Sequence, residues 1–347
     1  MAENRKIYQF TLRTMAPVHI GSGDTYTAKE YIYEKGHYYF PDMGQLYQKI
    51  EELGPRTTVA FESFLMSSGN YHNVRNPRLT DFLQQQQIKD RDFGGYAIKE
   101  TGFEGKSDPK APKGYLNEVS VFVRDSYGNP YIPGSSLKGA IRTILVNQHF
   151  QKTEIPWGAK RDMPFDDVFH HIRVSDSEPV SPDKLILAQK WDYSAKKSNT
   201  NQLPIHRECL KPFTVVTFTI TAIGDEANAL ISRLGAYASA HYKAYTKKFL
   251  TDFPETYRQK TLQYPIYLGA GSGFWTKTLM DKADPSRHRT GKMKMQGNGV
   301  LKLTKAPNVK YKVNGEVRDL TDNPENLYEF GKCFFAIKEI EQKEREL

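Results

Sequence analysis

Apolar and polar residues alternate along many short stretches of the chain, and this period of two predicts β-strands. The clearest example is FTVVTFTITAI at 213–223, where alternate residues from Val216 to Ala222 share one face. EYIYEKGHYYF at 30–40 predicts a hairpin, because two aromatic-rich arms flank a Glu-Lys-Gly turn. The other predicted strands cover 6–18, 115–123, 169–177, 185–191, 264–268, 309–313 and 333–340.

Apolar residues recur every three or four positions in three other regions, which predicts helices. The first region, 43–87, contains three such segments and indicates an inserted helical subdomain. The second begins at Ser135 or Ser136 as the N-terminal cap, and the third covers 225–249 with Asp225 as its cap. Strands and helices in mixed order indicate an α+β fold. Long loops are predicted at 100–114, 192–206 and 281–299.

Charge and composition favour a polyanionic partner. The chain has 347 residues and a net charge of +9. Its 21 Tyr and 19 Phe add weight, because aromatic faces beside cations suit single-stranded nucleic acid. Cys209 and Cys333 cannot build a disulfide framework and fit a reducing compartment. The sequence shows neither a membrane-spanning apolar run nor a signal peptide, so we expect a cytoplasmic protein without a membrane partner.

The segment YIPGSSLKGAIRT at 131–143 combines a turn, a helix start and two cations. Lys138 and Arg142 lie one helical turn apart, where like charges repel by a few tenths of a kcal/mol. A phosphate held between them and the helix N-terminus would reverse that cost. A solvated basic stripe on an ordinary helix is an equally good interpretation of this segment alone. The apolar stripe that we expect to be buried consists of Leu137, Ile141, Ile144 and Leu145.

Two glycine-rich segments follow predicted strands, HIGSG at 19–23 and GAGSG at 269–273, and would let the backbone approach a ligand closely. The first lacks the Lys of a Walker loop, and the second lacks the acidic partner of a dinucleotide site. Two predicted loops add cations that are candidates to contact an RNA backbone. These cations are Lys196, Lys197, Arg287 and Arg289.

The histidines indicate neither catalysis nor metal binding strongly. His19 is interpreted mainly as a structural, hydrogen-bonding residue. His170 and His171 would point to opposite faces of a strand, so they rarely share one ion. Because no His, Cys or carboxylate cluster has metal-ligand spacing, we expect neither a metal nor a cofactor.

Four motifs together resemble the RAMP superfamily, the repeat-associated proteins of CRISPR effector complexes. They are HIGSG at 19–23, IPGSSLKGAIRT at 132–143, RVSDS at 173–177 and GAGSGF at 269–274. The length, the helical insert, RECLKP and GAGSGFWTKT look most like the family of the fifth subunit of the type III-A Csm complex. The resemblance implies two RRM-like (ferredoxin-like) halves, 1–211 and 212–347, with a helical insert at about 44–100.

The resemblance also implies a non-catalytic subunit that binds crRNA, caps the 3′ end of the guide on the backbone filament, and supports crRNA maturation and antiviral defence. The implied partners are crRNA, the adjacent RAMP backbone subunit, the small helical subunit and host maturation nucleases. The residues expected near RNA are His19, Gly21, Ser22, Gly23, Ser135, Ser136, Lys138, Arg142, Lys196, Lys197, Gly269, Gly271, Ser272, Gly273, Arg287 and Arg289.

One departure from the superfamily bears on catalysis. The backbone subunit that this chain resembles carries a catalytic Asp after HIG, whereas the comparable stretch here, KEYIYE at 29–34, has none, and Asp24 lies too close to the glycine turn. Two alternatives remain open. The chain could be a metal-independent endoribonuclease that uses one of its histidines, with His19, His37, His170, His171 and His206 as candidates. It could also be a protein adaptor that recruits a maturation nuclease.

Overall fold

The computed structural model describes residues 4–67, 77–105, 110–149, 168–260, 262–280, 287–290, 293–296 and 299–340. Within these residues the fold is mixed α/β. The helices, in chain order, are α1 (Met43–Glu52), α2 (Pro55–Met66), α3 (Leu79–Gln85), α4 (Gly134–Gln148), α5 (Asp225–Ser232) and α6 (Leu234–Tyr245). None of these helices is both long and apolar enough to cross a bilayer.

The strands, in chain order, are β1 (Arg5–Thr14), β2 (Gly21–Thr27), β3 (Ile32–Glu34), β4 (His37–Phe40), β5 (Tyr96–Lys99), β6 (Glu118–Phe122), β7 (Ile172–Val174), β8 (Leu185–Ser194), β9 (Asn199–Leu210), β10 (Val215–Ile223), β11 (Tyr264–Tyr267), β12 (Arg287–Thr290), β13 (Met293–Gln296), β14 (Val300–Lys305), β15 (Lys310–Val313), β16 (Glu316–Asp319), β17 (Leu327–Glu329) and β18 (Lys332–Ile340).

Two large sheets organise the described part of the chain. The first has the order β11-β18-β1-β10-β7, and the second has the order β17-β14-β8-β9-β6-β2. A three-stranded sheet, β3-β4-β5, and the hairpins β12-β13 and β15-β16 complete the set. Both large sheets combine strands from either side of residue 211. The sheets therefore do not separate the two predicted halves, 1–211 and 212–347, and this division of the chain stays a prediction.

β1 lies in the middle of the first sheet because its alternating pattern supplies one apolar face. Tyr8, Phe10 and Leu12 are buried, and Phe10 stacks on Phe335 of β18 with ring centroids 4.6 Å apart. The predicted apolar stripe of α4 is confirmed, since its members join the same core. These members are Leu137, Ile141, Ile144 and Leu145.

The predicted hairpin and the helices after it form an insert with a core of its own. β3 pairs with β4, placing Ile32 opposite Tyr39, and β5 pairs with the other side of β4. Helices α1, α2 and α3 lie within the predicted helical region 43–87, of which 68–76 are outside the described residues. The buried residues of this core are Ile32, Leu46, Ile50, Phe61, Leu79, Phe82, Leu83 and Phe93.

A buried carboxylate on β9 joins this insert to the second sheet. Glu208 accepts hydrogen bonds from the Tyr96 hydroxyl (2.5 Å) and from the Phe122 N–H (2.8 Å). Arg124 donates to both Glu208 oxygens at 3.1 Å and lies over the Tyr96 ring, 3.7 Å from its centroid. Burial raises the pKa of Glu208, and the Arg124 charge opposes that rise. The satisfied carboxylate therefore fixes β5, β6 and β9 together.

Segments predicted as loops contain regular or buried structure. Most of 192–206 lies in β8 and β9, because cross-strand pairs such as Asp192 with Asn201 satisfy the backbone of these polar residues. β12 and β13 pair within 281–299. In 100–114, Glu104 is buried and accepts a hydrogen bond from the Thr101 N–H. The parts of the predicted loops that lie outside the described residues are 106–109, 281–286, 291–292 and 297–298.

The helix predicted over 225–249 is broken. Arg233, with φ −99° and ψ 4°, separates α5 from α6, and a π-helical turn at Thr246–Leu250 follows. The predicted cap is wrong, because Gly224 with φ 84° occupies the N-cap position. The Asp225 carboxylate instead accepts a hydrogen bond from the Asn4 amide at 2.8 Å.

The two large sheets meet where three connecting segments run side by side, 15–20, 268–272 and 330–332, which we call the connector seam. Backbone hydrogen bonds from N–H to carbonyl oxygen join the segments. They run from Ala270 to His19 (2.9 Å), from Leu268 to Gly331 (2.9 Å) and from Gly331 to Pro17 (3.0 Å). Because an unpaired buried backbone group costs about 1–3 kcal/mol, these bonds fix how the sheets meet.

A buried ion pair lies beside the connector seam. The Lys332 ammonium is 2.6 Å from the Glu329 carboxylate, and both side chains are almost fully buried. Lys332 also donates to the Tyr242 hydroxyl (2.8 Å), and Glu329 accepts from the Tyr267 hydroxyl (2.7 Å). Burial alone would lower the pKa of Lys332, but Glu329 and Tyr242 outweigh it and raise that pKa. Lys332 therefore keeps its charge, and its ion pair with Glu329 links β17 to β18.

We expect Lys332→Met to lower the free energy of unfolding by about 3–5 kcal/mol, because the variant leaves Glu329 charged and buried without its partner. Glu329→Gln combined with Lys332→Met should recover at least about 1 kcal/mol of that loss, since no uncompensated charge then remains. Urea denaturation of the wild type, both single variants (Lys332→Met and Glu329→Gln) and the double variant measures the coupling. Strictly additive losses would show that the pair is not coupled.

Candidate nucleic-acid interface

Helix α4 begins in a confined space beside the end of β7. A Cβ atom at Gly134 would lie 2.3 Å from the Val174 carbonyl oxygen and 2.4 Å from that of Ser175, so a side chain has no room. The Gly134 N–H donates to Asp176 Oδ1 at 2.8 Å. The predicted serine cap is therefore wrong, since Pro133 is the N-cap residue and the capping carboxylate comes from the RVSDS motif. The Gly134 N–H, at the helix N-terminus where we expected a phosphate, therefore already has a hydrogen-bond partner.

The strand predicted over 169–177 is shorter than expected. Only Ile172–Val174 pairs with β10, and Val168–His171 form a 3₁₀ turn before it. Ser175 still contacts β10, because its N–H donates to the Thr219 carbonyl at 2.9 Å and its hydroxyl accepts a hydrogen bond from the Thr219 N–H at 2.9 Å. These bonds hold the next residue, Asp176, at the start of α4.

Three sequence motifs line one open cleft of about 500 Å³, which we call the α4 cleft. Its lining residues from these motifs are Ile20, Gly21, Ser135, Ser136, Gly139, Gly269 and Ala270. The cleft continues along α4 into a space of about 380 Å³, where Arg142 faces Lys277 and Leu279. The tertiary structure thus brings together HIGSG, IPGSSLKG and GAGSG, which lie far apart in the sequence.

The two cations of the α4 motif are half-buried. Arg142 lines the cleft, and its guanidinium lies 5.0 Å from the centroid of the Phe169 ring. Lys138 precedes Arg142 by one helical turn. A cation over an aromatic ring is attracted by about 0.5–1 kcal/mol at such partly exposed sites, and this attraction orients Arg142 along the helix.

The GAGSG turn is packed against the protein itself. A Cβ atom at Gly269 would lie 2.1 Å from the His19 carbonyl oxygen, and one at Gly271 would lie 2.6 Å from the Phe330 ring. Both glycines also have positive φ angles. Ser272 is buried, and its hydroxyl donates to the Gly269 carbonyl at 3.1 Å. These residues build the connector seam, so the fold alone accounts for them.

The first glycine segment differs from the prediction. Gly21, Ser22 and Gly23 do not form a turn after β1 but begin the edge strand β2. The five residues from Gly21 to Thr25 face only the three residues from Phe122 to Ser120, so the segment bulges outward. All three residues are exposed. The bulge lies at the rim of the α4 cleft, which Gly21 lines.

Two pairs of predicted RNA contacts lie apart from the cleft residues. Lys196 and Lys197 are exposed in the turn between β8 and β9, and roughly 30 Å of extended strand separates them from the cleft end of β9. Arg287 and Arg289 lie on β12, opposite Gln296 and Lys294, and only their backbone is described. The structure does not place these four residues in the α4 cleft.

Sequence reasoning missed Gly139 and Lys277, which both line the α4 cleft. Gly139 lies within α4, and a Cβ atom there would have no neighbour within 4 Å, so the packing does not require glycine. Glycine in a helix costs about 1 kcal/mol relative to alanine. A glycine inside an otherwise good helix was therefore the signal that could have identified this position.

His19 has the structural role that we favoured from the sequence. Its ring is 2% exposed, and Nδ1 lies 2.7 Å from the Glu208 carbonyl oxygen. Burial, together with the Arg207 charge, lowers the pKa of His19 to about 4. Of the other candidates, His206 is buried, whereas His37, His170 and His171 are exposed. Among the described residues, no group of three or more His, Cys, Asp or Glu could hold a metal ion.

Two glycines of α4 should respond oppositely to alanine. Gly134→Ala should lower the free energy of unfolding by more than about 1 kcal/mol, because the new methyl group meets two carbonyl oxygens. Gly139→Ala should raise it by up to about 1 kcal/mol, because the helix loses a flexible residue and the site is open. Thermal and urea unfolding of both variants tests the contrast. Equal effects would contradict the packing described here.

Acid should destabilise the protein through its buried histidines. Burial lowers the pKa of His19, His206 and His241 to about 4 each, so the folded protein keeps them neutral. The unfolded chain binds protons below its ordinary pKa of about 6.5. The stability that these residues contribute is therefore present above pH 6.5 and is lost as the pH falls through about 4. Urea unfolding at several pH values should show a shallower loss for His241→Gln than for the wild type. Parallel curves would argue against this assignment.

Comparisons with known proteins agree with these motifs. A model of the RAMP superfamily matches residues 11–274. The Csm5 protein of the CRISPR system of Streptococcus thermophilus is 48% identical over 362 residues, covering 99% of this chain and 100% of the relative. The Csm5 protein of Enterococcus italicus is 28% identical, covering 96% of this chain and 98% of that one.

Solved structures are similar in fold. The crystal structure of T. onnurineus Csm5 gives a TM-score of 0.55 at 18% identity, covering 76% of this chain and 90% of that chain. A chain in the cryo-EM structure of a type III-A Csm–crRNA–target RNA complex gives a TM-score of 0.64 at 16% identity. The match covers 95% of this chain and 100% of that chain. The family model spans most of the chain, and the similarity to the S. thermophilus protein is nearly full length. The chain therefore belongs to the RAMP superfamily and, within it, to the Csm5 family of CRISPR proteins.

Proposed function

We propose that this chain is a non-catalytic subunit of a type III-A CRISPR effector complex that binds crRNA in the α4 cleft. The observation that supports this most is the convergence of HIGSG, IPGSSLKG and GAGSG on that one cleft. The similarity to a chain of a Csm–crRNA–target RNA complex agrees with it. The net charge of +9 favours a polyanion as the ligand.

The lining of the cleft suits a sugar–phosphate backbone. Arg142 and Lys277 supply positive charge, and the hydroxyls of Ser135 and Ser136 can donate hydrogen bonds to phosphate oxygens. The open space over Gly139 lets a chain approach α4 closely. Contacts of this kind read backbone and shape rather than sequence, as a subunit that serves many spacers requires.

The proposal of a non-catalytic role has two supports. The stretch at 29–34 lacks the Asp that the resembled backbone subunit uses, and Lys29 there donates a hydrogen bond to the Leu65 carbonyl at 2.7 Å. His19, the histidine nearest to the cleft lining, is buried and neutral at physiological pH. A buried neutral ring that is hydrogen-bonded to a carbonyl is poorly placed to exchange protons with RNA.

The position in the complex is the finer part of the proposal. We place the subunit at the 3′ end of the guide, next to the RAMP backbone subunit and the small helical subunit, in a fold of two RRM-like halves that meet near residue 211. The insert exposes Leu53, Val59 and Met66, which can contact a neighbouring subunit or a maturation nuclease. Such contacts would add an adaptor role to RNA binding.

Reversing Lys138 and Arg142 to Glu should weaken binding of single-stranded RNA by roughly tenfold or more and leave the chain folded. The salt dependence of log Kd should become shallower by about 1.4, because each phosphate contact contributes about 0.7 on single strands. Filter binding at several salt concentrations measures both effects.

The matched control replaces Lys310 and Lys312 by Glu. It changes the net charge of the chain by the same amount, but on the separate hairpin β15-β16. Gly139→Ala adds a second control, since it should weaken RNA binding without lowering stability. Unchanged binding by the Lys138 and Arg142 variant, or equal losses in both double variants, would contradict the assignment of the cleft.

A further inference from the structure

Phe274 directly follows the GAGSG turn and is 65% exposed. Single exposed apolar side chains are common, so exposure alone does not indicate a function. Two observations distinguish this ring. The first is that the backbone carrying the ring is anchored on both sides, and the second is that cations lie beside the ring.

The turn that bears Phe274 is anchored on both sides. Trp275 is buried and stacks on Phe249, with ring centroids 5.2 Å apart. The Thr276 hydroxyl donates to the Gly273 carbonyl at 2.9 Å. The backbone is therefore fixed while the ring of Phe274 points outward. Because the backbone that carries the ring is already fixed, a ligand that covers the ring does not have to order this turn, which lowers the entropic cost of binding.

Cations gather beside this turn. A Cβ atom at Gly273 would lie 3.0 Å from Lys302 Cγ, so β14 runs next to the backbone of Phe274. Lys190 pairs with Thr304, and Arg207 pairs with Ala188, two residues before Lys190. Cross-strand partners share a face, and side chains alternate along a strand, so Lys190, Arg207 and Lys302 project from the same face of the second sheet.

Arg207 connects this face to the α4 cleft. Its guanidinium lies 5.7 Å from the centroid of the Phe330 ring, the ring against which Gly271 packs. Its Nη1 atom is buried and has no hydrogen-bond partner. Arg207 also lies close enough to Lys277 of the cleft to help burial lower the pKa of that lysine.

The local charge is not neutralised within the described residues. Lys302 has a partner, because its ammonium lies 3.1 Å from Asp192. Among the described residues, no carboxylate lies within 4 Å of the cationic groups of Lys190, Arg207 or Lys277, although Asp192 acts on Lys190 from a greater distance. Burial, Lys302 and Arg207 together lower the pKa of Lys190. A phosphate placed among these three cations would relieve their mutual repulsion.

We propose that Phe274 is a stacking platform for an unpaired base of the bound RNA, and that Lys190, Arg207 and Lys277 hold the phosphates beside that base. This inference rests on the proposed RNA-binding function and gives a role to residues that were not among the RNA contacts expected from the sequence. Aromatic stacking next to a basic groove is the general way in which proteins hold single strands without reading their sequence. The path of the RNA would then run from the α4 cleft over the GAGSG turn onto the second sheet.

The test uses the full chain and a labelled oligoadenylate, with a second oligonucleotide that carries one 2-aminopurine. Phe274→Ala should weaken binding about tenfold and leave the salt slope unchanged, because stacking involves no counterion release. Phe274→Trp should retain the affinity and quench 2-aminopurine fluorescence. Lys190→Ala with Lys277→Ala should instead make the salt slope shallower by about 1.4. The matched control is Tyr127→Ala, an aromatic residue that is 88% exposed in another turn and should bind as the wild type does.

The outcomes separate this inference from the proposed function. If Phe274→Ala binds RNA as the wild type does while the Lys138 and Arg142 reversal still weakens binding, the inference is wrong and the proposed function stands. The inference is also wrong if Phe274→Ala loses assembly with neighbouring subunits at unchanged RNA affinity, because the ring is then a protein contact. If the wild-type chain binds no oligoadenylate, both are wrong.

Discussion

Backbone hydrogen bonds in the connector seam decide how the two large sheets meet, and the position of the α4 cleft follows from them. Ala270 and Leu268 donate to His19 and Gly331, and Gly331 donates to Pro17. These contacts require backbone to lie directly on backbone. A methyl group at Gly269 would lie 2.1 Å from the His19 carbonyl oxygen and would push the segments apart. The seam thus explains why glycine-rich segments from distant parts of the chain occur at this place.

Glu208 extends the seam into the rest of the second sheet. Its carbonyl oxygen holds the ring of His19, while its carboxylate binds Tyr96 of the insert and Arg124. The same residue therefore connects the seam, the insert and β6. Since the carboxylate is fully buried, removal of Arg124 would leave its charge unpaired at low dielectric. This explains how a rigid frame surrounds a cleft whose own lining is open.

The glycines of α4 and of the GAGSG turn include two kinds with different physical reasons. Gly134, Gly269 and Gly271 have protein atoms within 3 Å of the position that a Cβ atom would occupy, so packing demands them. Gly139 has no atom within 4 Å of that position and lies on the open side of α4. The loss of helix stability that glycine causes is tolerated more readily where a ligand occupies the space that a side chain would fill. The contrast separates residues that build the cleft from one that faces its contents.

The sequence by itself determined the strands and helices whose periodicity is strong, such as β10, the aromatic hairpin β3-β4 and the stripe of α4, and its motifs indicated the superfamily. These features are local, so a short window of sequence contains them. Only the tertiary structure decided that 192–206 forms strands, that Asp176 caps α4, and that Arg207 and Lys277 lie together. Each of these depends on a partner far away in the chain, through cross-strand pairing, a long-range hydrogen bond or an electrostatic contact. Residue types and spacing within one segment cannot specify such partners, because the free energy of each contact exists only once the two sheets have met at the connector seam.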